Sequence, residues 1–246
     1  MSAHARQDHQ LGVRIHRIFG IHHGRYGSPR VQEVLLQAGV VVSRHRVARL
    51  MREAGLRAKA VRGYRARVGV HRFYEQHPNR IRQAIPTGCN QVWVGDITYL
   101  AVAGQWRYLA VIMDQYSRRV LAWTLHRRRD ARITRAVLNT AVARRQPTRG
   151  LIFHSDRGSE YLAAEYGARL RHFGILQSAN QRGPEDNAHM ESFFHSLKAE
   201  TTRGLTFATE RSLRQLLQRY FRYYNHHRLH SALGYQSPVA FEAQAA

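Results

Sequence analysis

Apolar positions recur at helical spacing over the first quarter of the chain. Between about 10 and 57, Ile15, Ile18 and Phe19 share one helical face, and Val31, Val34 and Leu35 share the next. Tyr26-Gly27-Ser28-Pro29 separates the two runs, with Ser28 a candidate N-cap and Pro29 at a first-turn position. The second run stops at Gly39. Ser43 then offers a cap to a helix that carries Val47, Leu50 and Met51 and ends at Gly55. Two short helices about a Gly-containing turn, the second opening Ser43-Arg44-His45-Arg46, fit a helix-turn-helix, although any small helical hairpin has the same pattern. The Arg-rich second helix makes Arg44, Arg46 and Arg49 candidate DNA contacts.

Periodicity then lapses. Over 58–90, Lys59, Arg62, Arg65, Arg67, Arg72, Arg80 and Arg82 occur without an apolar face, and Pro78 and Pro86 punctuate the run. This reads as a basic linker able to follow a phosphate backbone, or simply a solvated connector. From 91 the alternation becomes that of strands: 91–101, 106–113 and 118–125, joined by short turns as an antiparallel meander. Asp130 can cap a helix to about 145, with Ile133, Val137, Leu138 and Ala141 inward. A short strand at 151–154, a helix at 159–173 and a strand at 175–178 follow. After a Gly/Pro loop at 179–186 come a helix at 187–200 and a last helix capped by Thr209. The pattern gives an α/β fold: a mixed sheet of three antiparallel strands, then parallel strands with helices, behind a small helical module. The expected division is 1–57, a linker at 58–90 and a core at 91–246.

Composition narrows the function. The 246 residues hold 39 Lys plus Arg against 16 Asp plus Glu, a net charge of +23, and the sequence pI is about 11.4. The excess is spread along the chain, with 17 basic and 4 acidic residues before position 86 and 22 and 12 after it. A shortage of acids on that scale points to a polyanionic partner, most simply nucleic acid. One cysteine, Cys89, excludes a disulfide framework and any site needing two thiolates. No apolar run approaches the ~20 residues of a membrane span, and the polar start lacks a secretory signal. The expectation is a soluble cytoplasmic protein with no membrane partner.

In a chain so poor in acids, an acid in an apolar setting is informative. Asp96 interrupts the strand Trp93-Val94-Gly95-Asp96-Ile97-Thr98-Tyr99, where Asp is disfavoured. Asp156 directly follows a buried strand in His154-Ser155-Asp156-Arg157-Gly158. Glu191 shares a helical face with Asn187, His195 and Lys198, while Phe193, Phe194 and Leu197 lie mostly elsewhere. Three carboxylates converging from a strand, a strand end and a helix would suit two Mg²⁺ ions, with Mn²⁺ able to substitute. Such a pair activates an attacking oxygen and stabilises a leaving one in in-line phosphoryl transfer. Each acid taken singly has a plainer explanation: an ion pair for Asp96, a helix cap for Asp156, a solvated position for Glu191.

Taken together, these segments resemble the second-reading-frame (OrfB-type) transposases of the IS-three family of bacterial insertion sequences, whose catalytic core is shared with retroviral integrases. The resemblance is carried by 93–99, by Tyr108 to Asp114 with Ser117-Arg118-Arg119, and by His154-Ser155-Asp156-Arg157-Gly158-Ser159-Glu160-Tyr161. It continues through Asp186-Asn187-Ala188, Glu191-Ser192-Phe193-Phe194-His195-Ser196-Leu197-Lys198, Tyr224-Asn225, Arg228, 230–235 and Ser237-Pro238. Asp156 and Glu191 stand 35 residues apart, the family's usual interval. The resemblance implies an RNase H-like fold and an Asp-Asp-Glu metal triad at Asp96, Asp156 and Glu191. It also implies Lys198 near the transposon end, transposon ends and target DNA as partners, a homo-oligomer on DNA, and in many members a first-frame fusion partner; Arg157, beside Asp156, is a further candidate DNA contact. The loop Ser178-Ala179-Asn180 with Gly183-Pro184-Glu185 departs from the family pattern without losing a metal ligand. The expected function is metal-dependent strand cleavage and 3′-OH strand transfer. The alternatives are a non-catalytic DNA-binding half-enzyme that needs an upstream partner, or a nuclease of the same fold. Asp114 reads best as a turn acid, Tyr220-Phe221-Tyr223-Tyr224 as core, and His226, His227 and His230 as no zinc site.

Overall fold

A computed structural model describes residues 3–59, 78–81, 85–180 and 187–245. The chain divides into two compact units, Met1–Gly63 and Tyr64–Ala246. In the first, α1 (Ala3–Ile21), α2 (Ser28–Gln37) and α3 (Arg44–Glu53) pack through Leu11, Ile15, Val31, Leu35, Val47, Leu50 and Met51, all buried. Ser43 caps α3 as expected, its Oγ accepting from the Arg46 amide at 3.2 Å. Ser28 does not cap α2. It is the first helical residue, Gly27 holds the cap position, and Pro29 supplies the preset φ of the first turn. α1 begins well before residue 10, in a polar stretch whose sequence has no apolar face to announce it.

The second unit is built on a five-stranded sheet in the order β3-β2-β1-β4-β5. β1 (Val92–Val102), β2 (Gln105–Asp114) and β3 (Val120–His126) form the antiparallel meander. Ala103 and Gly104, both at positive φ, make the two-residue turn between β1 and β2 that matches strand twist. β4 (Ile152–Ser155) and β5 (Leu176–Ala179) run parallel to β1. The sheet is apolar on both faces because strand residues alternate. One face carries Val92, Val94, Leu109 and Val111 under α7 (Ala188–Leu197) and α8 (Glu210–His226). The other carries Trp93, Ala110, Ile112 and Phe153 under α4 (Ala131–Arg145) and α6 (Ala164–His172).

Several boundaries move. The helix expected over 159–173 is two, α5 (Ser159–Leu162) and α6, because Ala163 is extended. α7 gives way after Leu197 to a wider π-helical turn, Lys198–Thr202. A final helix, α9 (Pro238–Gln244), was not expected; Ser237 caps it. The end of the expected linker is not a connector. The Arg80 amide donates to Ser178 Oγ at 2.9 Å, Pro78 accepts from the Ala179 amide, and Ile81 packs on the core. Arg62, Arg65, Arg67, Arg72, Arg82 and the loop at 181–186 lie outside the described residues. Asp130 and Thr209 cap α4 and α8 as expected. Tyr220, Phe221 and Tyr224 are core.

Candidate active site and nucleic-acid interface

β1 and β4 place two of the three expected acids side by side. Their parallel register ends with Gly95 opposite Ser155, so Asp96 and Asp156 are the next residues on strands ~4.8 Å apart. Gly95 is required there: a Cβ would stand 2.5 Å from the Phe153 ring. Asp96 Oδ1 accepts from the Ile97 amide at 2.7 Å, and Asp156 Oδ1 accepts from the Gly158 amide at 3.0 Å. Burial, reinforced by the charge of Asp156, pushes the Asp96 carboxyl up to about 7. Burial also raises Asp156 and Glu191.

Glu191 enters on α7. Asn187, the residue before that helix, is buried and donates from Nδ2 to the Gly95 carbonyl at 3.4 Å, which holds the helix start against β1. One turn on, Glu191 is exposed and contributes to the field at Asp96. The three carboxylates are not drawn into one tight cluster. Among the described residues, the only three ligand-type side chains with all donor atoms within 4.8 Å of one another are Cys89, Asp114 and Glu242. That second group is satisfied without a cation. Glu242 accepts from Ser117 and is paired with Arg119 and Arg145, and Asp114 accepts from the amides of Asn90, Tyr116 and Ser117. Asp114 is thus the turn acid that its sequence position suggested.

Two charged residues at the acids escaped the sequence reading. Arg129 pairs with the buried Glu160 at 2.7 Å and stands 3.9 Å from Asp156. Its charge offsets part of the repulsion at Asp96. Arg129 was invisible within the run Arg127-Arg128-Arg129, and Glu160 within its motif. Behind Asp156, His154 is fully buried, with Nδ1 2.8 Å from Ser178 Oγ and Nε2 2.7 Å from Asn180 Oδ1.

The expected DNA contacts separate into free and engaged residues. Lys198 opens the π-turn with its Nζ 4.7 Å from the Tyr99 ring centroid; burial lowers its basicity, and the Asp96 charge opposes that. Arg157 donates to the Asn180 carbonyl. Arg46 and Arg49 both pair with Asp8 of α1 at 2.6 Å, and Arg49 also holds Glu53. Their position on α3 is the one that locks it to α1. Arg44 and Arg52 are exposed, and neither makes an ion pair among the described residues.

A family model for an HTH-like domain matches residues 6–64, and two for an integrase core domain match 86–184 and 175–238. The transposase for insertion sequence element IS904 of Lactococcus lactis is 37% identical over 235 residues, covering 94% of this chain and 93% of that protein. The chain belongs to the IS3 family of insertion-sequence transposases. Transposase InsF for insertion sequence IS3A of Escherichia coli K12 is 38% identical over 225 residues, 89% of this chain and 77% of that one. A chain of the simian T-cell lymphotropic virus intasome in complex with PP2A regulatory subunit B56 gamma superposes with a TM-score of 0.51 at 15% identity. The match covers 92% of this chain and 73% of that one, and shows the shared fold. This IS3-family transposase therefore has an integrase-type core resembling RNase H, preceded by an HTH-like region, and its function is DNA transposition and integration. It is a polynucleotidyl transferase. No described helix is long and apolar enough to cross a membrane.

Proposed function

We propose that Asp96, Asp156 and Glu191 are the catalytic acids of this transposase and hold two Mg²⁺ ions, which Mn²⁺ can replace. The observation that carries the reading is that Asp96 and Asp156 each follow directly on the last β1–β4 pair, Gly95 and Ser155, with Asn187 at the start of α7 hydrogen-bonded to Gly95 beside them. The charge of Asp156 raises the affinity of the half-buried Asp96 carboxyl for a proton, and two like-charged carboxylates so close favour a hard cation for the same reason. Bound there, the ions supply an activated oxygen nucleophile and charge neutralisation at the leaving 3′ oxygen.

The chain's own groups do the rest. Asp96 and Asp156 are fixed by backbone amides, so little reorganisation remains on binding. Glu191, exposed on α7, would supply the third carboxylate to the ions. Arg129, held by Glu160, keeps Asp156 oriented and partly neutralised. Lys198 supplies a cation for a DNA phosphate beside the acids. In the N-terminal unit, Arg44, His45 and Arg52 form the exposed row of α3 that meets DNA, while Arg46 and Arg49 fix the helix through Asp8. Transposon ends and target DNA are the substrates, a homo-oligomer on DNA is the working form, and the protein acts in the cytoplasm.

The test is joining of a labelled transposon-end duplex to plasmid DNA with Mg²⁺ or Mn²⁺ against EDTA. Wild type should join ends only with metal, and Glu191→Gln should lose joining by at least a hundredfold while still binding the duplex. Persisting strand transfer by Glu191→Gln would remove Glu191 from the chemistry. Absence of joining by wild type, with DNA bound, would mean that the chain needs an upstream fusion partner.

A further inference from the structure

Three residues beyond Asp96, β1 carries a large side chain that the fold does not cover. Tyr99 is 56% exposed, and so is Trp106 across the hairpin on β2. Tyr99 pairs with Tyr108, and Ala101 with Trp106, so Tyr99 and Trp106 are diagonal neighbours on one face. Their rings meet at a right-angled corner, with centroids 4.9 Å apart and planes at 79°. The other two tryptophans are used differently: Trp93 is fully buried and Trp123 packs on Phe221. Pairing of β1 with β4 stops at Gly95, so the β1 edge beside Tyr99 has no strand on it among the described residues.

The corner also has a cation. Lys198 Nζ lies 4.7 Å from the Tyr99 centroid. Lysine is rare in this chain, which has 39 basic residues but only Lys59 and Lys198 as lysines. Three strand residues span about 10 Å and place Tyr99 on the face of β1 opposite Asp96; Lys198, which feels the Asp96 charge and stands on the Tyr99 ring, links the two across the uncovered edge, so the corner lies within one or two nucleotides of a strand bound at Asp96. Exposed aromatic rings flanked by a cation, next to a phosphoryl-transfer site, have the chemistry of a base-stacking platform.

We propose that Tyr99, Trp106 and Lys198 form a stacking corner for one unpaired nucleobase of the DNA strand held at the acids. This rests on the reading of Asp96, Asp156 and Glu191 given above. Tyr99 and Trp106 supply a floor and a wall for the ring, and Lys198 faces the adjoining phosphate. A terminal base lifted from its pair would be held there while its strand is cut or joined. No bond is made or broken at the corner, and its effect is on position and affinity.

The experiment uses the whole chain and duplexes ending in the terminal repeat of the element that encodes it, with 2-aminopurine at each of the last three positions in turn. Wild type should quench one of these positions. Tyr99→Ala or Trp106→Ala should weaken end binding about 5- to 100-fold and restore that emission, leaving the slope of log K against log salt unchanged. Trp106→Phe, which keeps a ring, should retain most of the affinity, and Lys198→Ala should lower the slope by about one. Wild-type binding and quenching by folded Tyr99→Ala and Trp106→Ala, while wild type joins ends, would overturn the stacking corner alone. Wild type that neither binds nor joins ends would overturn the reading of the acids as well. Altered self-association without DNA, at unchanged quenching, would overturn the proposal in favour of a contact between copies.

Discussion

The carboxyl of Asp96 sits near 7 rather than 3.8 because burial and the neighbouring Asp156 both disfavour its anion. Without metal, the folded state therefore keeps a proton that the unfolded chain has released, and stability falls as pH rises between those two values. Asp96→Asn removes that cost. In EDTA at pH 8 the variant should be more stable than wild type by about 1–3 kcal/mol in denaturant melts, and the difference should vanish near pH 4. Equal melting at both pH values would show that Asp96 is not strained. At this scale the sequence was partly legible: an acid inside a strand is conspicuous in a chain with so few. Arg129 was not, since one arginine among many carries no signal until the fold sets it against Glu160 and Asp156.

Elements position the acids, and buried polar pairs position the elements. The π-turn after α7 is anchored by Glu200, which pairs with Arg228 at 2.8 Å and accepts from the Tyr220 hydroxyl, all buried. Asn225 holds β3 in the same way, accepting from the Val120 amide and donating to its carbonyl. Breaking a buried pair leaves an uncompensated charge. Arg228→Met should therefore cost about 3–5 kcal/mol in denaturant melts, and adding Glu200→Gln should recover much of it. Additive losses in the double variant would contradict a coupled pair. Asn225 and Arg228 stood out in the sequence as motif residues, yet their role there was open. Their partners lie 105 and 28 residues away, a distance that periodicity does not span.

Over the whole molecule the charge of +23 sets a salt-dependent attraction to DNA, but the fold decides which arginines deliver it. Arg44 and Arg52 are exposed and unpaired among the described residues, whereas Arg46 and Arg49 are held by Asp8. Arg44→Ala and Arg52→Ala should each reduce the slope of log K against log salt by about one. Arg46→Ala should instead lower the melting temperature of the N-terminal unit, and a loss of slope from it would reverse the assignment. Local rules acting within a few residues determined most of the architecture in advance. Alternation gave the meander, caps at Ser43, Asp130 and Thr209 gave helix starts, and the scarcity of acids drew attention to Asp96, Asp156 and Glu191. Only the tertiary structure decided that Asp96 and Asp156 are neighbours, that Arg129 attends them, that Arg46 and Arg49 are engaged, and that Tyr99 and Trp106 are left uncovered. Those outcomes depend on register and on which long-range partner arrives, and neither is written in the spacing of a single segment.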